Sequence, residues 1–517
     1  MNRSVWVTIA LGLAIATTGC SGGGSAAPQD ANNPQFDVNP QPDVGTDVPI
    51  HPDGAMDAVG IDGGGFAVAM PITVGANYTN GTLADPNTSR DYYKFAGTAG
   101  QAILVATKAK INSPTDPFDT TYVDLVVTIY DSTQTAIALQ DDPWPHVSND
   151  PQLYTVLPTA GDYYVTVEDC NSAFSAHCFP VGGITHKDYS IAIFDVASLG
   201  QATPVVEGAT DQDGTTANAI PIVFSASTGA DVGTGVDAGT GGPTYVNDVI
   251  AGEFQTGTDI DVYSFTIPTN YGGQPLYRST AAFYLQIPGV AHGDGSTANM
   301  KVWIVDAANP TTHLAEIDQS NYGDGTGDNC PAEINVPVTR GNQYYLYVQN
   351  GQGAAGARDF YFLVRTDDLV DLVRPDGIYL GPTEMADATN GDISTPEVLA
   401  PQAKNTEVWY GVAGDIGGAG SDVDYYSVAV PATGIKAKVL CQAQRIGSGL
   451  RGFKFTLMQT DGTEVTDGTA TEKLSADLWL DRSIPRGVNT LILKVEAASQ
   501  DPNVSGTYYR CQVQFHS

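Results

Sequence analysis

Basic residues are scarce in this chain: 23 Lys and Arg stand against 58 Asp and Glu, for a net charge of −35. Such a surface repels phosphate backbones instead of releasing their counterions, which argues against nucleic acid as a partner. Charged residues of both signs make up only 16% of the sequence, and no long stretch carries the 3.6-residue periodicity of an amphipathic helix. No apolar run reaches the roughly 20 residues that a spanning helix needs. Also absent are a His-Glu-x-x-His helix and a Gly-x-x-x-x-Gly-Lys loop. His146, His177, His186, His292 and His313 are scattered, and no Cys-x-x-Cys spacing accompanies them, so no zinc site is expected. An enzyme is not expected, no metal is assigned, and no cofactor is implied.

What is abundant is glycine, at 57 residues, and tyrosine, at 25. Turns and aromatic strands are favoured by that balance, and an all-β chain is the expectation. At 517 residues the chain is too long for one core and should divide into several.

The N-terminal stretch has the form of an export signal, with Arg3 followed by an apolar run from Val5 to Ala16. It ends in Thr17-Thr18-Gly19-Cys20, which resembles the bacterial lipobox, with Thr17 in place of the usual Leu. That resemblance implies lipidation at Cys20 and removal of residues 1–19; the competing reading is an ordinary signal peptide with a chance cysteine. Ser21, not Asp, follows the cysteine, so the expected location is the outer membrane or cell surface. More than one acyl chain, at roughly 0.8 kcal/mol per buried methylene, gives lasting attachment. Residues 20–65 are mostly Gly, Pro, Asn, Asp and Ala; they bury too little apolar surface to fold and read as a disordered tether spanning about 35–40 Å.

Beyond the tether the sequence repeats loosely at a period of roughly 165 residues, which is domain-sized. One anchor is an Asp followed by alternating aromatics: Asp91-Tyr92-Tyr93-Lys94-Phe95, Asp261-Val262-Tyr263-Ser264-Phe265 and Asp424-Tyr425-Tyr426-Ser427-Val428. Period-2 geometry places Tyr93/Phe95, Tyr263/Phe265 and Tyr426/Val428 on inward faces. A second anchor is a strand carrying Leu125/Val127/Ile129, Met300/Val302/Ile304 and Phe453/Phe455/Leu457. A third opens at Gly161, Gly341 and Gly487 and continues into Tyr163/Val165/Val167, Tyr344/Leu346/Val348 and Leu491/Leu493/Val495. Thr166, Tyr347 and Lys494 then fall on the opposite face, expected to be wet. A closing strand begins at Tyr189, Phe360 and Tyr508. The expected architecture is all-β: three tandem antiparallel, jelly-roll-like sandwiches at 66–200, 201–370 and 371–517.

The order of these motifs resembles the bacterial pre-peptidase C-terminal domain. The second stretch shows it as Glu207, Asp211-Gln212-Asp213-Gly214, Pro221 and Asp259-Ile260-Asp261-Val262-Tyr263-Ser264; the third as Glu384, Asn390-Gly391-Asp392 and Asp422-Val423-Asp424-Tyr425-Tyr426-Ser427. The first departs from it, with Ser89-Arg90 ahead of Asp91. The resemblance implies β-sandwich modules that bind or space and do not cleave.

With Cys20 set aside, five cysteines remain in a chain expected to be exported, where they can oxidise. Cys170 and Cys178 flank a short loop suited to a local disulfide, Cys441 and Cys511 fall in strands where a cross-strand disulfide fits, and Cys330 is left over. Asp259/Asp261, Asp422/Asp424 and the loop Asp324-Gly325-Thr326-Gly327-Asp328-Asn329 suggest calcium, but none holds a full ligand set and turn capping is the preferred reading. Tyr164, Tyr345 and Tyr347 serve either cross-strand packing or stacking on sugars or peptide side chains. The function expected is a lipid-anchored surface protein with non-catalytic binding or spacer modules, its partners a membrane and a polysaccharide or protein; the alternative is a secreted hydrolase or its accessory part.

Overall fold

In a computed structural model, the structure describes residues 65–75, 77–110, 120–141, 150–174, 183–198, 205–206, 214–222, 248–266, 270–271, 274–275, 280–286, 288–289, 293–319, 333–353, 358–366, 390–404, 407–417, 420, 422–432, 434–474 and 480–516. Alternating apolar residues make strands throughout, and the strands assemble into three two-layer units of the same plan.

The first unit contains β1 (Met70–Pro71), β2 (Thr79–Thr82), β3 (Arg90–Gly97), β4 (Ala102–Lys108), β5 (Leu125–Tyr130), β6 (Ala136–Gln140), β7 (Gln152–Val156), β8 (Gly161–Asp169) and β9 (Asp188–Asp195). One sheet runs β1-β3-β8-β5-β6 and the other β2-β9-β4-β7. All pairs are antiparallel except β1 with β3. The exception follows from connectivity: after β1 the chain crosses to the second sheet for β2 and returns as β3, so β1 and β3 point the same way.

The second unit repeats the first sheet as Ile220–Ile222, Ile260–Thr266, Gln343–Asn350, Met300–Asp306 and Asn309–Asp318. The third repeats it as Glu397–Val398, Val423–Ala429, Thr490–Glu496, Lys454–Gln459 and Glu464–Thr471. Both keep the parallel edge strand. The second sheets share four equivalent strands, Asp248–Glu253, Phe360–Thr366, Thr280–Leu285 and Glu333–Pro337 in one, Glu407–Asp415, Tyr508–His516, Lys436–Gln442 and Leu480–Ser483 in the other, and each adds a fifth at the edge, Val205–Val206 running parallel and Gln402–Lys404 antiparallel. Each unit closes its own core, including Tyr93, Phe95, Val127 and Val165 in the first, Tyr263, Phe265, Val302 and Leu346 in the second, and Tyr426, Val428, Phe455 and Leu493 in the third.

Tyr189, Tyr361 and Tyr509 on the closing strands sit opposite Gly81, Gly252 and Gly414. The rings of Tyr189 and Tyr361 lie back over their glycines, and a Cβ at Gly81 or Gly252 would overlap them. Glycine in mid-strand normally weakens a sheet; here the facing ring supplies the missing contact.

The outward faces are less wet than alternation predicts. Thr166 is fully buried, because the outer face of the first unit's β3-β8-β5-β6 sheet is roofed by the chain itself. Phe66 inserts among Tyr92, Tyr130 and Tyr164 at ring-centroid distances of 5.0, 5.1 and 5.2 Å, all edge-on, while Cys170 and Phe174 pack on Val126. The outer face of the second sheet is apolar and meets its counterpart in the second unit. Leu104, Tyr154, Ala192 and Phe194 pack against Val249, Tyr284, Phe360 and Phe362, with Tyr154 and Phe362 5.5 Å apart. Two sandwiches thereby stack as four consecutive layers with three apolar interiors. The joint between the second and third units is mixed: Ile446 and Tyr508 of the third pack into the second unit's apolar cluster, and beside them Arg510 makes a two-pronged ion pair with Glu333 at 3.0 and 2.8 Å and also donates to Gln442, all three buried.

Candidate functional site

The recurrent Asp-x-Tyr motif is the first place to look for chemistry, since it puts an ionisable pair at the same position three times. In every unit it enters the core. Tyr189 donates its hydroxyl to Asp91 at 2.5 Å, Tyr361 to Asp261 at 2.6 Å and Tyr509 to Asp424 at 2.6 Å. A second tyrosine, Tyr93, Tyr263 or Tyr426, shares a hydrogen bond with the first at 2.8, 2.6 and 2.5 Å. Burial pushes the Tyr93 hydroxyl up to about 12 and holds Tyr189 and Tyr361 far above the ordinary phenol range. A phenol so reluctant to ionise is a fixed donor, and with the carboxylate sealed between two sheets the triad ties the leading strand of one sheet to the closing strand of the other.

The partner aspartates of the sequence pattern cap turns. Asp259 accepts the amide of Gln255 at 2.7 Å, and Asp422 accepts those of Gly417 and Val423 at 2.8 and 3.0 Å. Among the described residues no group of three or more His, Cys, Asp or Glu gathers around a common point. The acidic loop 324–329 lies outside them, as do Cys20, Cys178, Cys330, His146, His177 and His292. Cys441 and Cys511 face each other across adjacent strands and form a disulfide. Cys170 is also disulfide-bonded.

The three equivalent outer faces of the leading sheets differ in character. In the first unit Tyr164 is occupied by Phe66 and approached by Lys94, whose ammonium lies 5.7 Å from the ring. In the third the corresponding face carries Thr456, Thr469, Lys494 and Lys454, with both lysines bonded to Glu496. The second is aromatic and partly open. Across its strands Val262, Tyr347, Trp303 and Glu316 form one row, and Ser264, Tyr345, Val305 and His313 the next.

Within that face Trp303 and Tyr347 stack at 5.0 Å with planes 7° apart, and His313 stacks on the other side of Trp303 at 5.4 Å. His313 Nδ1 lies 2.5 Å from Glu316, whose second oxygen takes Lys301 at 2.9 Å. The hydrogen bond from His313, aided by Lys301 and opposed by burial, holds the Glu316 carboxyl down at about 2. Side chains standing on neighbouring strands turn their ring faces to one another, so the surface offers ring edges, one carboxylate, one ammonium and the half-buried Tyr345. Cross-strand packing therefore uses much of what could have stacked on a sugar.

Trp303, Glu316 and Lys301 were not singled out by sequence, and His313 figured there only as one of several scattered histidines. The available signal was Trp303 alternating outward between Val302 and Ile304; that it meets Tyr347, some forty positions later, depends on sheet order.

No family model matches the chain, and no curated protein matches it. Among solved structures it is similar to the pre-peptidase C-terminal domain of a Bacillus anthracis collagenase, at 12% identity over 24% of this chain and 93% of that one, TM-score 0.17. It is similar to a periplasmic inhibitor of g-type lysozyme from Aeromonas hydrophila, at 17% identity over 24% and 96%, TM-score 0.15. A third is the tandem CBM51 modules of a family 98 glycoside hydrolase from Streptococcus pneumoniae, at 12% identity over 52% and 84%, TM-score 0.17. At such scores the likenesses bear on neither ligand nor activity.

Proposed function

We propose that the protein is a lipid-anchored, non-catalytic surface protein: three sandwich units behaving as one stiff body, held off the membrane by residues 20–65, with the aromatic outer face of the second unit turned to a polysaccharide or protein partner. The observation that carries the reading is where the repeated ionisable residues go. All three Asp-Tyr-Tyr sets are committed to the cores, and buried contacts join the units. The fold thus spends its charged motifs on rigidity, leaving open surface for contact.

Membrane partition of Cys20→Ala against the wild-type chain tests the anchor; the variant should move to the soluble fraction, and unchanged partition removes that part. Polysaccharide and protein arrays run beside a hydrolase panel test the rest. Binding that weakens in Trp303→Ala without turnover is the expected result, whereas sustained turnover would replace the proposal with the hydrolase reading.

A further inference from the structure

Each sandwich has an exposed-edge problem, and the chain solves it twice in the same way. The outermost strand of the leading sheet is β6 in the first unit, Asn309–Asp318 in the second and Glu464–Thr471 in the third. Leu139, Glu316 and Thr469 hold equivalent places on it, opposite Thr128, Trp303 and Thr456. The Leu139 amide donates to the carbonyl of Gly293 at 3.1 Å and its carbonyl takes the Gly293 amide at 2.7 Å; the Glu316 amide donates to Gly447 at 2.9 Å. Both glycines belong to the following unit, in the segment that leads into its central strand, Met300–Asp306 or Lys454–Gln459.

A second contact accompanies the first. Two residues back along the edge, the Ile137 carbonyl accepts Arg358 at 2.7 Å, and the Leu314 carbonyl lies so close to Gly506 that a Cβ there would overlap it. Arg358 and Gly506 both stand three positions before the core tyrosine, Tyr361 or Tyr509. Each is fixed by the same bond, from Thr297 to the Arg358 carbonyl at 2.8 Å and from Gly449 to the Gly506 carbonyl at 2.7 Å. Every unit after the first therefore grips the edge of the unit before it with one constant piece of its surface.

That repeat leaves two halves of a joint over. In the third unit Glu472 donates to Phe453 at 2.8 Å, which sets the antiparallel alternation: Ala470 bonds inward to Phe455, and Thr469 and Thr471 turn their amides and carbonyls out to solvent. Thr469 is exposed. In the first unit the gripping position is His186, three before Tyr189, held by Val123 donating to its carbonyl at 2.9 Å. Its exposed ring stacks on Tyr122 at 4.1 Å with planes 13° apart. Asp461, Glu464, Thr469 and Thr471 lie exposed along the third unit's edge.

We infer that the third unit's edge strand, at Thr469, is a docking site for the first unit of a second copy of this chain, entered through its Tyr122–His186 end. The contact is heterologous and joins copies head to tail, as the joints inside the chain already join its units. Outward edge amides supply the hydrogen bonds, and the counterpart is the segment that already grips an edge at both joints inside the chain. The third unit's bulge, where Asp467 takes a positive φ of 53° and its carbonyl is held by Arg482 at 2.7 Å, leaves fewer free edge groups than an intact strand. The association is thus weaker than the joints within one chain.

The test uses the full chain with a benzophenone side chain at Thr469, in detergent and on membranes. Illumination should give concentration-dependent dimers and longer ladders, with the adduct mapping to peptides around Tyr122 or His186 of another copy; the same probe at exposed Asp392 should give none. Sedimentation provides a second reading: the chain should self-associate, and Thr469→Pro, which deletes the outward amide, should return it to monomer with an unchanged melting curve. A wild-type chain that stays monomeric, or adducts that map elsewhere, overturns the inference. Either result leaves the array binding of the second unit's outer face to be judged by itself.

Discussion

Removing Arg510 should do more harm than removing the whole ion pair. Its side chain is 5% exposed and that of Glu333 9%, and the guanidinium makes four bonds, two to Glu333 and two to Gln442. Arg510→Ala leaves the buried Glu333 carboxylate at the joint without its guanidinium, while Asn335 still donates to it at 2.9 Å. Stranding one member of a buried pair costs about 3–5 kcal/mol. For units of this size that corresponds to roughly 6–20 °C in the midpoint of the affected transition. Replacing both residues by apolar ones of similar volume, Arg510→Met with Glu333→Leu, removes the stranded charge and should recover most of the loss. Scanning calorimetry of the wild type, the two single variants and the double variant closes the cycle. The reasoning is refuted if Arg510→Ala melts like the wild type, or if the double variant loses the sum of the two single losses.

Two further outcomes follow from buried carboxyls and hydroxyls. Asp294 sits at the joint of the first two units, where burial raises its carboxyl from 3.8 to about 8 against the pull of the Ser296 amide and Arg358. Below the unfolded value both states hold the proton; as pH rises from there to about 8 the unfolded chain alone releases it, so stability falls across that window. Asp294→Asn keeps an acceptor for Ser296 and should flatten the decline in thermal melts; an identical slope in the variant would count against the assignment. In the cores, Tyr361→Phe deletes the hydroxyl that serves Asp261 and Tyr263 and should cost about 2–3 kcal/mol in denaturant unfolding, the value of a hydrogen bond to a charged acceptor. A loss below half a kilocalorie would show the triad to be incidental.

The inward faces were readable because alternation is a local property: Tyr93/Phe95, Val302/Ile304 and Leu491/Leu493 needed only the next residue but one. The parallel edge strands were not, since whether Met70–Pro71 pairs with its neighbour in sequence or with β3 depends on a crossing between layers. Thr166 was assigned to a wet face because nothing near it in sequence announces Phe66, a hundred residues earlier. The joints escaped for the same reason, Arg510 and Glu333 being 177 positions apart. The Asp-x-Tyr motif was visible, yet its role was not, because the tyrosine that completes each triad comes from a strand some 85 to 100 positions downstream.

Phe66 also has a mechanical meaning. It is the first ring among the described residues, wedged edge-on among three tyrosines on the flank of the first sandwich, with the short strand Met70–Pro71 clipped to the sheet rim just behind it. Tension arriving from the N-terminal side would be met first by that wedge, and only afterwards by backbone pairing. Drag on the body would then loosen one ring and a two-residue clip, sparing the triads that hold the layers together.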